Sequence, residues 1–253
     1  VRVWGGALGA AIQPSDMGIV TSLAAGIGHL LALTSVGTVF GWGFDVYGES
    51  TPPDRLTGVI AIVAGGFHSL ALKRDGSLVG WGDTTFGVTQ TPYGLSDVAA
   101  ITTGYQFSVA LKKDGTVWAW GDSSKHQSPA PTLSRATAVS AGFAHALVLQ
   151  SDSTVKAWGD NTNGQSTVPA NLPKVIGIAA GGRHSLALLA DSTVMGWGDN
   201  AAGQTTVPKS LRSVVAIAAG DGHSIALRKD GTVVVWGDNA SNQADVPATL
   251  ASP

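Results

Sequence analysis

Five histidines recur at one position of a repeating pattern, at His29, His68, His145, His184 and His223. Imidazoles are the side chains best suited to ligate a metal or move a proton near neutral pH. A shared metal would need several of their nitrogens within about 2 Å of one ion. Successive repeats hold equivalent positions apart, and Phe107 fills the slot in the remaining copy without spoiling the pattern. The histidines therefore read as structural, each a buried His after a Gly turn that satisfies backbone groups locally. The segments Asp160 to Gln165 and Asp199 to Gln204 look like cation loops. Gly164 and Gly203 stand where an EF-type loop needs oxygen ligands, however, and its terminal Glu is missing. Asx turns closing a strand account for them better. Acid–base residue types remain at Glu49 (the only Glu), Asp45, Tyr47, His126, Arg183 and Asp221. No Ser-His-Asp or paired-carboxylate spacing links them. No catalytic group, metal or cofactor is assigned, and an enzyme is kept only as an alternative.

The elements that must position these residues follow from Trp-Gly pairs at Trp4, Trp42, Trp81, Trp120, Trp158, Trp197 and Trp236, spaced 38 or 39 residues apart. Such a period means one supersecondary unit copied many times. Only Trp118 lies outside the series. The last copy, residues 214 to 250, holds three short apolar segments. Val214 to Ala219 ends at Gly220. His223 to Arg228 ends at Asp230-Gly231, a hairpin signal because both residues tolerate positive φ. Thr232 to Trp236 stops at Gly237-Asp238. The stretch that follows contains Pro247 and suits an outer edge strand or a loop. No apolar 3.6-residue pattern persists, so the repeat is all-β. The first and third strands are apolar at nearly consecutive positions, which predicts cover on both of their faces. A β-propeller of about 39-residue repeats meets these demands, with a β-solenoid as runner-up.

Counting exposes an irregularity. Gly-x-x-His-type corners occur at Gly26, Gly65, Gly104, Gly142, Gly181 and Gly220, six against seven Trp-Gly pairs. Residues 1 to 5 read as a third strand without its two partners. The expectation is a single domain over 1–253, seven-bladed with one incomplete blade, and six-bladed as the alternative.

Charged residues make up 13% of the 253, and the net charge of -2 gives no clustered basic footprint for nucleic acid. No run reaches the apolar length of a membrane span, and the N-terminus lacks a signal-peptide pattern. Cys is absent, which excludes disulfides and thiolate metal sites. Little charge with much Ser, Thr, Asn and Gly fits a secreted or cell-surface protein, a cytoplasmic one being the alternative. Oligomeric state is left open.

The pattern A-G-x-x-H-S-L-A-L, then D-G-T-V, then W-G-D-N-x-x-G-Q resembles the regulator-of-chromosome-condensation repeat. It stands as Ala64 to Leu72, Asp75 to Leu78 and Trp81-Gly82-Asp83 in one copy. In another it stands as Ala180 to Leu188, Trp197 to Asn200 and Gly203-Gln204. The short period is most similar to the bacterial branch of that family, which includes a secreted β-lactamase inhibitory propeller. The eukaryotic exchange-factor role is not implied, because the likeness to that branch is limited to scaffold positions.

Alternating strand direction puts the G-x-x-H corners and the W-G-D-N loops on one face, where the copies diverge. The corners carry Ile27, Phe67, Tyr105 with Gln106, Phe143, Arg183 and Asp221. The loops carry Phe44, Asp45, Tyr47, Phe86, Lys125, His126, Asn161 and Asn163. Aromatic residues and Arg on variable loops of a rigid scaffold are what protein-binding hot spots look like. The resemblance implies that aromatic corners contact a partner, which puts Phe67, Tyr105 and Phe143 forward as anchors. Ile27, Arg183 and Asp221 depart from that pattern. The expected function is a non-enzymatic interaction module that binds a protein through Phe67, Tyr105, Gln106, Phe143, Arg183, Asp221, Tyr47, Phe86 and His126. An inhibitor-like secreted protein is one alternative, and an enzyme with a site at the propeller mouth is the other. The opposite face bears basic pairs, Lys73-Arg74, Lys112-Lys113 and Arg228-Lys229, which read as a solvated rim.

Overall fold

A computed structural model describes residues 17–251; residues 1 to 5, with Trp4 and its Trp-Gly pair, lie outside the described residues. The chain forms two compact units, one closing at Ser134 and the other opening at Arg135. Aliphatic runs of five or six residues, cut by Gly, Asp-Gly and Pro, set the strands. The first unit holds β1 (Val20–Ala25), β2 (His29–Thr34), β3 (Val39–Gly43), β4 (Val59–Ala64), β5 (His68–Lys73), β6 (Leu78–Gly82), β7 (Val98–Thr103), β8 (Phe107–Lys112) and β9 (Val117–Gly121). The second holds β10 (Ala136–Ala141), β11 (His145–Gln150), β12 (Val155–Gly159), β13 (Val175–Ala180), β14 (His184–Leu189), β15 (Val194–Gly198), β16 (Val214–Ala219), β17 (His223–Arg228) and β18 (Val233–Gly237). Each consecutive three form one antiparallel sheet, with the second strand in the middle.

Six sheets thus stand among the described residues, where seven with one incomplete was favoured. They are the three-stranded blades of a β-propeller fold class. The Pro-containing stretches are loops rather than fourth strands, and no described helix is long and apolar enough to cross a membrane.

Local chemistry explains each corner. At the Asp-Gly turns the Asp carboxylate accepts the N–H two residues on, at 3.0 Å for Asp75 and Ser77 and 2.9 Å for Asp114 and Thr116. The glycine of each described Trp-Gly pair has strongly positive φ, +94° at Gly82 and +108° at Gly121. A Cβ there would run into the carbonyl of the neighbouring corner, Phe67 or Gln106. The period is therefore a backbone requirement as well as a packing one. Every first strand carries a register shift one residue in, as between Val59 and Ala61, which adds twist to the sheet.

The cores lie between successive sheets of a unit. In the first unit Leu31, Leu33 and Val39 meet Val59, Ile62, Ala71 and Trp81. In the second Leu147, Leu149 and Val155 meet Val175, Ala187 and Trp197. Full cover was expected for the first and third strands, but the second strands have it: β2 and β14 are buried at all six positions. A middle strand has sheet neighbours on both edges, whereas the outer β6 and β15 are half-buried except at Trp81 and Trp197. Among the described second strands β17 alone opens before its last position, with His223 and Ile225 half-buried and Leu227 exposed. Leu31, Leu70, Leu147 and Leu186 are at most 1% exposed. Each such side chain contributes about 1.5–3 kcal/mol.

Polar groups on these buried strands are satisfied across sheets. Ser69 Oγ donates to the Glu49 carbonyl at 2.9 Å, and Trp81 Nε1 donates to the same oxygen at 3.0 Å. His29 Nε2 lies 2.8 Å from Ser69 Oγ. The same set recurs as His68–Ser108 at 3.0 Å, His145–Ser185 at 3.0 Å and His184–Ser224 at 2.9 Å. A serine has one hydrogen, and it goes to the carbonyl, so the imidazole must be the donor through Nε2–H. The tautomer leaves Nδ1 bare, and Nδ1 of His29, His145 and His184 has no partner. The histidines are structural, as expected, but their serine partners are one repeat away rather than local.

The chain carries its own control for this bond. Where Phe107 replaces the histidine, the serine slot of the next repeat holds Ala146. Ser108→Ala alone should strand the buried His68 N–H and cost about 1–3 kcal/mol in urea unfolding. Adding His68→Phe should recover most of that loss. A double variant no more stable than the single one would contradict the pairing.

Candidate functional site

The first residue after each third strand donates its N–H to a corner carbonyl. Phe44 reaches Gly28 at 2.7 Å, Asp83 reaches Phe67 at 2.8 Å and Asp122 reaches Gln106 at 2.8 Å. Asp160, Asp199 and Asp238 do the same to Ala144, Arg183 and Gly222. Corners and loops thus share one rim in each unit, as strand alternation predicted. The basic turns sit at the other end, where Arg74 N–H reaches the Gly58 carbonyl and Lys113 N–H the Asp97 carbonyl.

The loops are rigid because their polar side chains bond inward. Gln127 Oε1 accepts the Lys125 N–H at 2.7 Å, and its Nε2 donates to Asp122 at 2.8 Å. Gln165 ties Asn163 N–H to Asp160, Gln204 ties Ala202 N–H to Asp199, and Gln243 ties Ser241 N–H to Asp238. The D-N-x-x-G-Q segments are therefore Asx-type loop locks. Burial pushes the Asp122 carboxyl up, but hydrogen bonds from Ser124 and Gln127 outweigh it and hold the group below its ordinary range.

The first two loops break this rule: the second has Val88 in the Gln slot, and the loop after the first sheet departs further. Phe44 occupies the Asp slot and Glu49 the Gln slot. Glu49 is 1% exposed, its Oε2 accepts the Tyr47 N–H at 2.8 Å, and its Oε1 has no partner. As an acid–base candidate it is enclosed by scaffold. The signal for this was in the chain, since the loop loses the Asp and the Gln together.

On the rim of the first unit the structure joins three predicted residues into one row. Tyr47 and Phe67 meet edge to face with ring centres 5.6 Å apart, and Phe67 meets Tyr105 in the same way at 5.7 Å. Tyr47 is 54% exposed, while Phe67 and Tyr105 are half-buried. Gln106, next to Tyr105 in the chain, is half-buried and gives its carbonyl to the loop lock. Phe86 and His126 are exposed loop tips with positive φ, outside the row's ring contacts. On the second unit, Phe143 is half-buried and Arg183 and Asp221 are exposed. That rim is more polar than the first.

The histidines behind the corners have unusual electrostatics. Burial, and then the neighbouring imidazole one repeat away, lowers His68, His145 and His184 to about 4. Burial also lowers His29 and His223.

The regulator of chromosome condensation (RCC1) repeat model matches residues 59–88, 98–127, 136–165, 175–204 and 214–243. The chain belongs to this family. Each RCC1 match runs from a first strand to the Gln slot of the loop lock, and the sheet with Phe44 and Glu49 falls outside all five. No curated protein sequence matches the chain. Among solved structures it is similar to yeast RCC1 (Prp20) bound to Kap60, with TM-score 0.76 and 20% identity over 92% of this chain and 73% of that one. Prp20p from Saccharomyces cerevisiae, in a study of its binding to Gsp1p and histones, gives TM-score 0.75 and 20% identity over 92% and 75%. The ectodomain of the Physcomitrella patens receptor kinase CR4 gives 0.77 and 22% over 90% and 66%. At such identities these likenesses establish the RCC1-type fold alone.

Proposed function

We propose that this protein is a non-enzymatic interaction module that binds a protein partner through its corner-and-loop rim. The observation that carries the reading is the Tyr47–Phe67–Tyr105 row, partly exposed and mounted on loops that backbone hydrogen bonds lock. Pre-ordered aromatic side chains give large contact area at little entropic cost, the usual character of binding hot spots. Phe143, Arg183 and Asp221 offer a second, more polar contact set on the other unit. That relatives of this fold engage proteins, as the Prp20 structure with Kap60 does, supports the reading. A secreted, inhibitor-like role belongs to the same proposal and draws on the short repeat and the low charge.

The test is site-specific photo-crosslinking. Benzoylphenylalanine in place of Phe67 should yield partner adducts in a native extract, and the same label in place of Lys113 should not. Replacing Tyr47 and Tyr105 with Ala should remove the Phe67 adducts and leave the thermal melt within a few degrees. Adducts formed only at position 113 would sink the proposal.

A further inference from the structure

The aromatic row has an electrostatic setting that narrows what can lie on it. Among the described residues, the charged side chains on this rim of the first unit are Asp45, Asp83 and Asp122, against Lys125. The other cations of that unit, Arg55 and the Lys73-Arg74 and Lys112-Lys113 pairs, lie at the opposite rim, where the turns hold them. Two of them are already paired there, Lys73 with Asp75 at 3.4 Å and Lys112 with Asp114 at 3.7 Å. At the Tyr47 end of the row sits the enclosed Glu49 carboxyl, with one oxygen on the Tyr47 N–H and the other unpartnered. Tyr47 is the exposed member of the row, and the face of an aromatic ring carries negative quadrupole charge. The rim with the row therefore carries net negative charge, whereas at the opposite rim five cations are offset by Asp54, Asp75, Asp97 and Asp114.

We propose that the Tyr47–Phe67–Tyr105 row is a cradle for an arginine-bearing, net-basic segment of the partner protein. It rests on the interaction reading above and adds the chemistry of the partner. A guanidinium is flat, weakly hydrated and able to stack on a ring while donating to a carboxylate, and this rim carries both types of group. An ammonium matches the charge but not the plane, so arginine is preferred to lysine. An acidic segment would meet three carboxylates and is disfavoured.

The experiment uses the full chain and a short fluorescein-labelled peptide of alternating Gly and Arg, with matched Gly-Lys and Gly-Glu peptides, read by anisotropy. The Gly-Arg peptide should bind most tightly, Gly-Lys more weakly, and Gly-Glu not at all. Binding should weaken steeply with added salt. Tyr47→Ala, Phe67→Ala or Tyr105→Ala should each weaken it about threefold to tenfold. Because those truncations remove packing as well, a second variant with Leu at all three positions keeps the apolar bulk and removes the rings. It should lose most of the binding too, whereas Lys113→Ala should change nothing. Equal binding of the Gly-Glu peptide, or full binding by the Leu variant, would overturn the proposal. If Phe67 crosslinks a partner yet no Gly-Arg peptide binds, the cationic chemistry falls and the interaction module stands. If the peptide binds and only the opposite rim crosslinks, the module reading falls instead.

Discussion

Acidification from neutral pH toward about 4 is expected to unfold this protein through its buried histidines. His68, His145 and His184 stay neutral in the fold down to about 4, because burial and a neighbouring imidazole disfavour their charged forms. Unfolded, each takes up its proton near the ordinary 6.5. Between those values the unfolded chain binds more protons, so stability is complete above about 6.5 and is lost as pH falls toward 4. The loss is about 1.4 kcal/mol per pH unit per group, or about 3 kcal/mol each over the window. Three groups together approach 10 kcal/mol, on the order of the whole stability of a domain. The lowered aspartates, such as Asp45 and Asp122, act in the same direction but only below their ordinary 3.8. Urea unfolding at stepped pH should therefore show a slope of about three protons between pH 6 and 5. In the His68→Phe, Ser108→Ala double variant the slope should fall by about one proton. A flat stability profile down to pH 4.5 would show that the imidazoles charge freely in the fold.

These histidines also show where sequence reasoning was strong and where it stopped. Their slot was legible as structural because Phe107 replaces it once. The partner was not, since His29 pairs with Ser69, 40 residues away, rather than with a neighbour in its own turn. The sole trace of that bond in the chain is the joint loss at Phe107 and Ala146. The strand HSLALK begins with two polar residues and was not expected to be the most buried of its sheet. It is so because the next sheet supplies the serine and the preceding loop supplies the carbonyl. The Trp-Gly period was legible for the opposite reason. At Trp81, Trp120, Trp197 and Trp236 the buried indole bonds the preceding loop, and the glycine that follows has φ near +100°; these demands restrict the residue types tightly, and the pair recurs in all six described sheets. For the candidate site, divergent corners were visible as a set. The meeting of Tyr47 with Phe67 was not, because one leaves β3 and the other opens β5, and no local pattern joins them.

The repeats also supply the template for rebuilding the loop after the first sheet, which lacks both the Asp and the Gln of the lock. In four loops a Gln bridges the N–H two residues before it and the Asp five residues before it, at 2.7–3.1 Å throughout. In the first sheet Glu49 makes the first bond and has no Asp for the second, since Phe44 stands there. A buried carboxyl oxygen without a partner costs about 1–3 kcal/mol. Glu49→Gln alone should recover little, because its new N–H₂ would still face no acceptor. Phe44→Asp alone should destabilise, setting a second carboxyl beside the first. The Phe44→Asp, Glu49→Gln pair rebuilds the bridge of the other copies and should gain about 2 kcal/mol, raising the melting temperature by about 4–8 °C. Phe44 is 58% exposed, so its removal forfeits little packing. The decisive quantity is the coupling between the two changes, which should exceed 1 kcal/mol in a double-mutant cycle. Simple additivity would mean that the orphaned oxygen is satisfied by water and that the first loop has lost nothing by its divergence. Strong coupling would mean that this loop gives up stability to keep Phe44 and the Glu49 carboxyl that holds the Tyr47 N–H.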